Sequence, residues 1–139
     1  MDCDDTYPAD RIPEIARLML EDGYDIVDAS RLGSRPRNMP LVNYAANYGF
    51  ALIASGVFGR RLTDLHSGMR GYRKSMIEEL AFDISGTALP VELLLLPLRR
   101  RYRFKVIFID YKERLGQSKM RPLYSAYWTA RRIVSNRFR

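Results

Sequence analysis

The order of periodic segments predicts an α/β domain, with helices alternating with strands around one sheet. Three observations carry the prediction. Residues 24–30 form a run with β-branched residues at its centre, residues 104–111 form a clearer one, and the segments around them place apolar residues at helical spacing. The chain has 139 residues, 47% apolar and 28% charged, enough for one modest core.

The opening stretch Met1-Asp2-Cys3-Asp4-Asp5-Thr6-Tyr7-Pro8 reads as a strand end followed by a helix start. Pro8 cannot donate to a sheet ladder, and its fixed φ suits a first helical turn. Ile12, Ile15, Ala16, Leu18 and Met19 share helical spacing, with Gly23 placed to stop that helix. Tyr24 to Ser30 is the first strand after it, and Gly33 to Pro40 is a turn-rich basic loop containing Arg35 and Arg37. Leu41 to Phe58 is apolar around much of its circumference, so a buried helix closed by Gly59 is expected. Residues 62–73 read as a loop and a short strand, 74–82 and 90–102 as helices, and 104–111 as a strand. A polar loop over 113–120 and a final helix over 122–139 complete the order.

Composition excludes several classes. One cysteine, Cys3, cannot build an internal disulfide framework and fits a reducing compartment. An acidic start does not resemble a secretion signal. No apolar run is expected to reach the ~20 residues that span a bilayer; the longest, Ala88 to Leu98, is broken by Pro90, Glu92 and Pro97. Net charge is +7, but Arg99 to Arg139 holds 13 basic and 2 acidic residues, or +11, leaving −4 for the rest. A basic carboxyl end implies a polyanionic partner such as nucleic acid, anionic lipid headgroups or substrate phosphates.

Asp2 and Asp4 are the strongest chemical feature. Residues i and i+2 of a strand point to the same side, so both carboxylates can hold one hard divalent cation and leave positions open for phosphates. The competing structural reading is that Asp4 or Asp5 caps the helix after it. A nucleotide site on an α/β sheet normally contacts a first βαβ unit, and none precedes the acidic pair. The expectation is therefore the carboxyl half of something longer.

Read together, Asp2 to Pro8, Ala29-Ser30-Arg31, Thr63-Asp64-Leu65-His66-Ser67-Gly68-Met69-Arg70, Pro90-Val91-Glu92-Leu93-Leu94 and Arg114-Leu115-Gly116-Gln117-Ser118-Lys119 come in a recognisable order. The chain resembles the family 2 glycosyltransferases of the GT-A fold, especially the dolichol- or polyprenyl-phosphate mannosyl- and glucosyltransferase group. The resemblance implies a mixed α/β sheet flanked by helices. It divides the chain into a partial GT-A catalytic domain over 1–120, lacking the amino-terminal nucleotide-binding half, and a basic amphipathic helix over 121–139. Met1 falls where the family has an apolar strand residue, which implies a fragment or an internal methionine taken as a start.

The implied reaction is inverting transfer of a sugar from a nucleotide-sugar to a lipid-linked phosphate, with Mg²⁺ or Mn²⁺ held by Asp2 and Asp4. A phosphate monoester acceptor is largely ionised near neutrality, its second pKa being about 6. It needs positioning by cations more than it needs a strong base. Arg31, Arg70, Arg114, Ser118 and Lys119 are the implied phosphate and acceptor ligands, with Asp64 as the implied catalytic acid-bearing residue. Whether Asp64 orients an arginine or acts as base stays open, as does a plain role in the turn before Gly68. His66 is expected to be structural, and Glu92 is either a buried partner for an arginine or a solvated edge.

On the last helix Leu123, Tyr127, Ala130, Val134 and Phe138 share one stripe, with Arg131, Arg132 and Arg137 around the axis. That pattern suits a membrane interface, or packing against the domain's own sheet. The expected location is cytoplasmic, peripheral at the inner membrane face, with no nucleic acid partner. Two other readings remain. One is a basic binding module for anionic membrane or nucleic acid; the other is a non-catalytic remnant paired with a second chain.

Overall fold

A computed structural model describes residues 6–33, 39–110 and 121–138. Its three strands form one mixed sheet in the order β2-β1-β3. Central β1 (Ile26–Ser30) runs antiparallel to β2 (Arg70–Tyr72) and parallel to β3 (Phe104–Phe108). All five β1 residues are buried, as expected of a strand covered on both faces.

Alternation along β1 sorts its side chains between two layers. Val27 and Ala29 join Ile107 and Ile109 beneath Ile15 and Leu18 of α1 (Ile12–Leu20). A 3-10 turn, Ala9–Arg11, leads into α1, and the Arg11 N–H bonds the Pro8 carbonyl at 3.1 Å. Pro8 and Pro13 thus occupy helix-start positions, where a missing N–H is harmless. Asp28 and Ser30 face the other layer. There α2 (Leu41–Phe58), α4 (Leu89–Arg99) and α5 (Pro122–Phe138) enclose Ala51, Ala54, Leu65, Leu94, Leu98 and Ile133. A fully buried leucine contributes about 1.5–3 kcal/mol, so this helical layer carries much of the stability. The short α3 (Lys74–Glu79) follows β2 and ends where Leu80 turns extended.

Two helices differ from expectation at their ends, and one on its surface. Helix α4 stops at Arg99 rather than running on to residue 102, because Arg101 takes the left-handed φ of 65°. The Gly59 stop is as expected, at φ 62°. The buried α2, however, is a correction. Only Ala51 and Ala54 are fully covered, while Leu41, Val42, Tyr48, Leu52 and Ile53 are exposed. Apolar residues around a whole helix state that no face prefers water; they do not say that protein covers every face. Helix α2 packs through one edge onto α4 and α5. By length and composition it is the one helix among the described residues that could cross a membrane, which the search for apolar runs missed. Little of that helix is buried within the domain.

Helix α5 is fixed in rotation by charge. The buried Glu92 accepts from Arg132 Nη1 at 3.2 Å and from Asn136 Nδ2 at 2.6 Å, and Arg132 also pairs with Asp83 at 2.6 Å. Glu92 is therefore a buried partner for an arginine. Trp128 lies against Gly86, whose φ of 65° and lack of Cβ make room for the ring. With Thr129, Arg132, Ile133 and Asn136 inward, the stripe Leu123, Tyr127, Ala130, Val134 and Phe138 is left exposed. The inward face meets α4 and α2 rather than the sheet.

Candidate functional site

The site grows from the carboxyl end of β1. Register places Arg70 of β2 directly opposite Asp28 on the central strand. Side chains of paired residues share a face, and Arg70 Nε meets Asp28 Oδ1 at 2.5 Å. The rest of the Arg70 fork reaches backbone: Nη1 to the Pro90 carbonyl at 2.5 Å and Nη2 to the Asp64 carbonyl at 2.8 Å. One guanidinium thereby ties β1, β2, the 62–69 loop and the start of α4. Both side chains of the pair are nearly inaccessible. Burial pushes the Asp28 carboxyl up to about 6 against the opposing Arg70 charge. For Arg70 the paired carboxylate wins over burial and holds the guanidinium firmly charged.

Arg31, the first residue after β1, meets the Asp64 carboxylate as a fork. Nε lies 2.7 Å from Oδ2 and Nη2 3.0 Å from Oδ1, and the Arg31 backbone N–H approaches Oδ2 at 3.3 Å. Such bidentate charged pairs are among the stronger hydrogen-bonded contacts. Burial tends to raise the Asp64 carboxyl, but Arg31 by charge and hydrogen bond, then Arg70, bring it below the usual range. Asp64 also accepts from the His66 N–H at 3.0 Å, an Asx turn. The turn role and the arginine-pairing role are thus filled by one side chain.

Around this pair the loop is closely held. Gly68 N–H donates to the Tyr7 hydroxyl at 2.7 Å, and Ser67 Oγ donates to the Ala29 carbonyl at 2.5 Å. Tyr7, three residues after Asp4 in sequence, is thereby pinned to the loop that carries Asp64. His66 Nε2 lies 3.0 Å from Thr129 Oγ1, whose own proton goes to the Ser125 carbonyl at 2.8 Å. The imidazole therefore donates through Nε2, linking the Asp64 turn to α5. Burial lowers its pKa to about 4, so it is neutral at physiological pH.

Two hollows adjoin. One of about 450 Å³ opens at the carboxyl ends of β1 and β3, beside Pro8, Arg11, Gly33 and Asp110. This is the side on which open α/β sheets hold ligands. A smaller one, about 160 Å³, lies between α2 and α5 beside Phe50, His66 and Thr129.

Of the residues expected from sequence, Arg31, Asp64 and Arg70 come together here. Asp2, Asp4, Arg114, Ser118 and Lys119 lie outside the described residues, as do Arg35 and Arg37. Arg70 is placed as a buried tie between backbones. Asp28 was missed; an acid inside a β-branched run was the available signal. Tyr7 was passed over because a tyrosine after a turn is unremarkable by itself. Among the described residues no three metal-ligating side chains cluster.

Comparisons with known proteins place the chain in a family. A family model described as Glycosyl transferase family 2 matches residues 1–81. The chain is similar to a dolichyl-phosphate hexose transferase of Haloferax volcanii, 36% identical over 133 residues, 96% of this chain and 58% of that protein. It is also similar to a UDP-N-acetylglucosamine–dolichyl-phosphate N-acetylglucosaminyltransferase of Methanococcus voltae, 25% identical over 136 residues, 94% of this chain and 49% of that one. The chain spans about half the length of the curated relatives it matches. The family match and the 36% identical relative together show that the chain, with its mixed sheet flanked by helices, belongs to glycosyl transferase family 2.

Proposed function

We propose that this chain forms the acceptor-handling half of a glycosyltransferase that moves a sugar from a nucleotide-sugar to a dolichyl or polyprenyl phosphate. The observation that carries this is the Arg31–Asp64 fork at the carboxyl end of β1, held beside the segment that follows the acidic pair. Both relatives named above are dolichyl-phosphate sugar transferases.

In this reading Arg31 steadies the acceptor phosphate, and Asp64 aims Arg31. An ionised phosphate monoester is already a nucleophile. A carboxylate held low by a guanidinium is a poor proton acceptor, which favours the orienting role for Asp64 over the base role. Arg70 acts one step back: it fixes the Asp64 backbone and is itself charge-balanced by Asp28. Arg114, Ser118 and Lys119 supply further phosphate contacts. Asp2 and Asp4 suit Mg²⁺ or Mn²⁺ by donor chemistry, since both cations take hard carboxylate oxygens. The cation, when bound, offsets charge on the departing diphosphate.

A lipid-linked acceptor requires a bilayer nearby. The exposed faces of α2 and α5 supply the contact, peripheral and on the cytoplasmic side. Ile133 and Thr129 belong to the buried face of α5, so Leu123→Ser with Phe138→Ser tests this better than deletion of 122–139. Weaker vesicle binding is expected; unchanged binding contradicts it. For the reaction, the protein containing this chain is assayed for labelled-sugar transfer to a polyprenyl phosphate. Loss in Arg31→Gln and in Asp4→Ala is expected, with weak or no transfer by the 139 residues alone. Full transfer in Arg31→Gln would refute the assignment.

A further inference from the structure

A second group of arginines meets at the carboxyl-terminal ends of the three packed helices. Arg60 follows the Gly59 stop of α2, Arg99 ends α4, Arg101 follows it, and Arg137 lies in the last turn of α5. All four line one cleft of about 340 Å³ whose apolar walls include Phe58 and Leu98, and among the described residues no carboxylate lines it. Among the described residues none of the four forms a salt bridge. Arg99 Nη1 is buried and makes no hydrogen bond among those residues.

Helix dipoles account for one cation at each of the three helix ends and leave one of the four arginines over. A cation near each helix carboxyl end is favourable, but one per helix suffices, and further like charges in one cleft repel. Arg101 also stands in an unusual backbone. Its φ of 65° suits glycine and disfavours any side chain, yet an arginine stands there. A forked, weakly hydrated cation is the side chain best matched to phosphate oxygens.

We propose that the Arg60–Arg99–Arg101–Arg137 cleft binds the phosphate of an anionic membrane lipid. The oxyanion chemistry stands on the cleft itself; the lipid as its source rests on the membrane contact proposed above. The cleft adjoins exposed apolar surface on both flanking helices: Tyr48 and Leu52 share a hollow with Arg60, and Val134 and Phe138 neighbour Arg137. Exposed aliphatic side chains beside arginines match acyl chains beside headgroups, the pattern of an interfacial surface. Single-stranded nucleic acid would call for several stacking aromatics, and among the described residues Phe58 is the one aromatic lining this cleft.

The test has two arms, both on the full chain. In the first, inorganic phosphate is titrated while arginine Nε–H signals are followed by NMR. Shifts in Arg99 and Arg101 are expected. In the second, binding is measured to phosphatidylcholine vesicles with and without phosphatidylglycerol. Binding that depends on phosphatidylglycerol and falls about tenfold or more in Arg99→Gln combined with Arg101→Gly is expected. Arg101→Gly is a clean variant because glycine suits that backbone, so an unfolded control is avoided. Phosphate shifts without anionic-vesicle binding would keep the site and overturn the lipid source. Shifts confined to Arg31, or vesicle binding unchanged in the double variant, would overturn the site. Tighter, vesicle-independent binding to an oligonucleotide would replace lipid with nucleic acid.

Discussion

Arginines at the two ends of this molecule are treated in opposite ways. Near the carboxyl end of β1, Arg31 and Arg70 are largely covered and each faces a carboxylate, Asp64 and Asp28. At the helix ends, Arg60, Arg99, Arg101 and Arg137 meet no carboxylate of the described residues in their shared cleft. The difference separates two uses of one side chain. A guanidinium neutralised by the protein can hold geometry, because its energy is already committed. A group of guanidinium ions left without acids awaits charge from outside. In the function proposed above, Arg31 combines the two: Asp64 pairs with it and would aim it at the acceptor.

The largest effects should fall on the covered pairs. Asp28→Ala leaves Arg70 buried without its carboxylate and should cost about 3–5 kcal/mol in urea unfolding. Replacing both partners, Asp28→Val with Arg70→Met, should restore most of that stability, because a buried ion pair exchanged for apolar groups is often neutral. If the double replacement also leaves the Arg31 Nε–H signal unchanged, Arg70 is not the tie described here.

Next comes pH, where two buried groups oppose each other. Asp28 is raised to about 6, so its contribution to stability is fully present below its unfolded value and is lost as pH rises through 6. His66 is lowered to about 4, so its contribution is present above the unfolded value and is lost as pH falls toward 4. Each limb is of order 3 kcal/mol, and they offset one another between about pH 4 and 6. In His66→Gln the urea midpoint should therefore fall as pH climbs from 4 to 6. In Asp28→Asn it should rise over the same window. Parallel slopes in the two variants would break the contrast.

A smaller change follows from Arg31→Lys. One ammonium replaces a fork, and the loss to stability should be about 1 kcal/mol, with a larger loss in affinity for a polyprenyl phosphate. Smallest of all, Arg60→Gln or Arg137→Gln should leave stability within about 0.5 kcal/mol of wild type in thermal or urea unfolding. Their effect belongs in anion binding and should weaken with added salt, which screens exposed charges far more than buried pairs.

Much of this layout was legible beforehand, for identifiable reasons. β1, β3 and the Gly59 stop follow from β-branched runs and a left-handed glycine, which are local signals. Asp64 and Arg31 could be named from motif order, but their fork depends on how a loop returns to β1. Asp28 carried only a weak signal, because a strand acid reads as solvent-facing until the sheet register supplies Arg70 opposite it. The rotation of α5 was hidden in the same way, since the buried Arg132 and exposed Phe138 reverse the usual roles of their residue types. The outer face of α2 was misjudged because composition cannot tell a covered face from an exposed one.

The central claim is that Arg31, aimed by Asp64, meets the acceptor's phosphate. Titrating a short-chain polyprenyl monophosphate into the chain while observing arginine Nε–H resonances tests it directly. The account predicts a saturable shift at Arg31 that disappears in Asp64→Asn, with Arg70 nearly still. A ligand that moves Arg70 or the helix-end arginines while leaving Arg31 unchanged would contradict it.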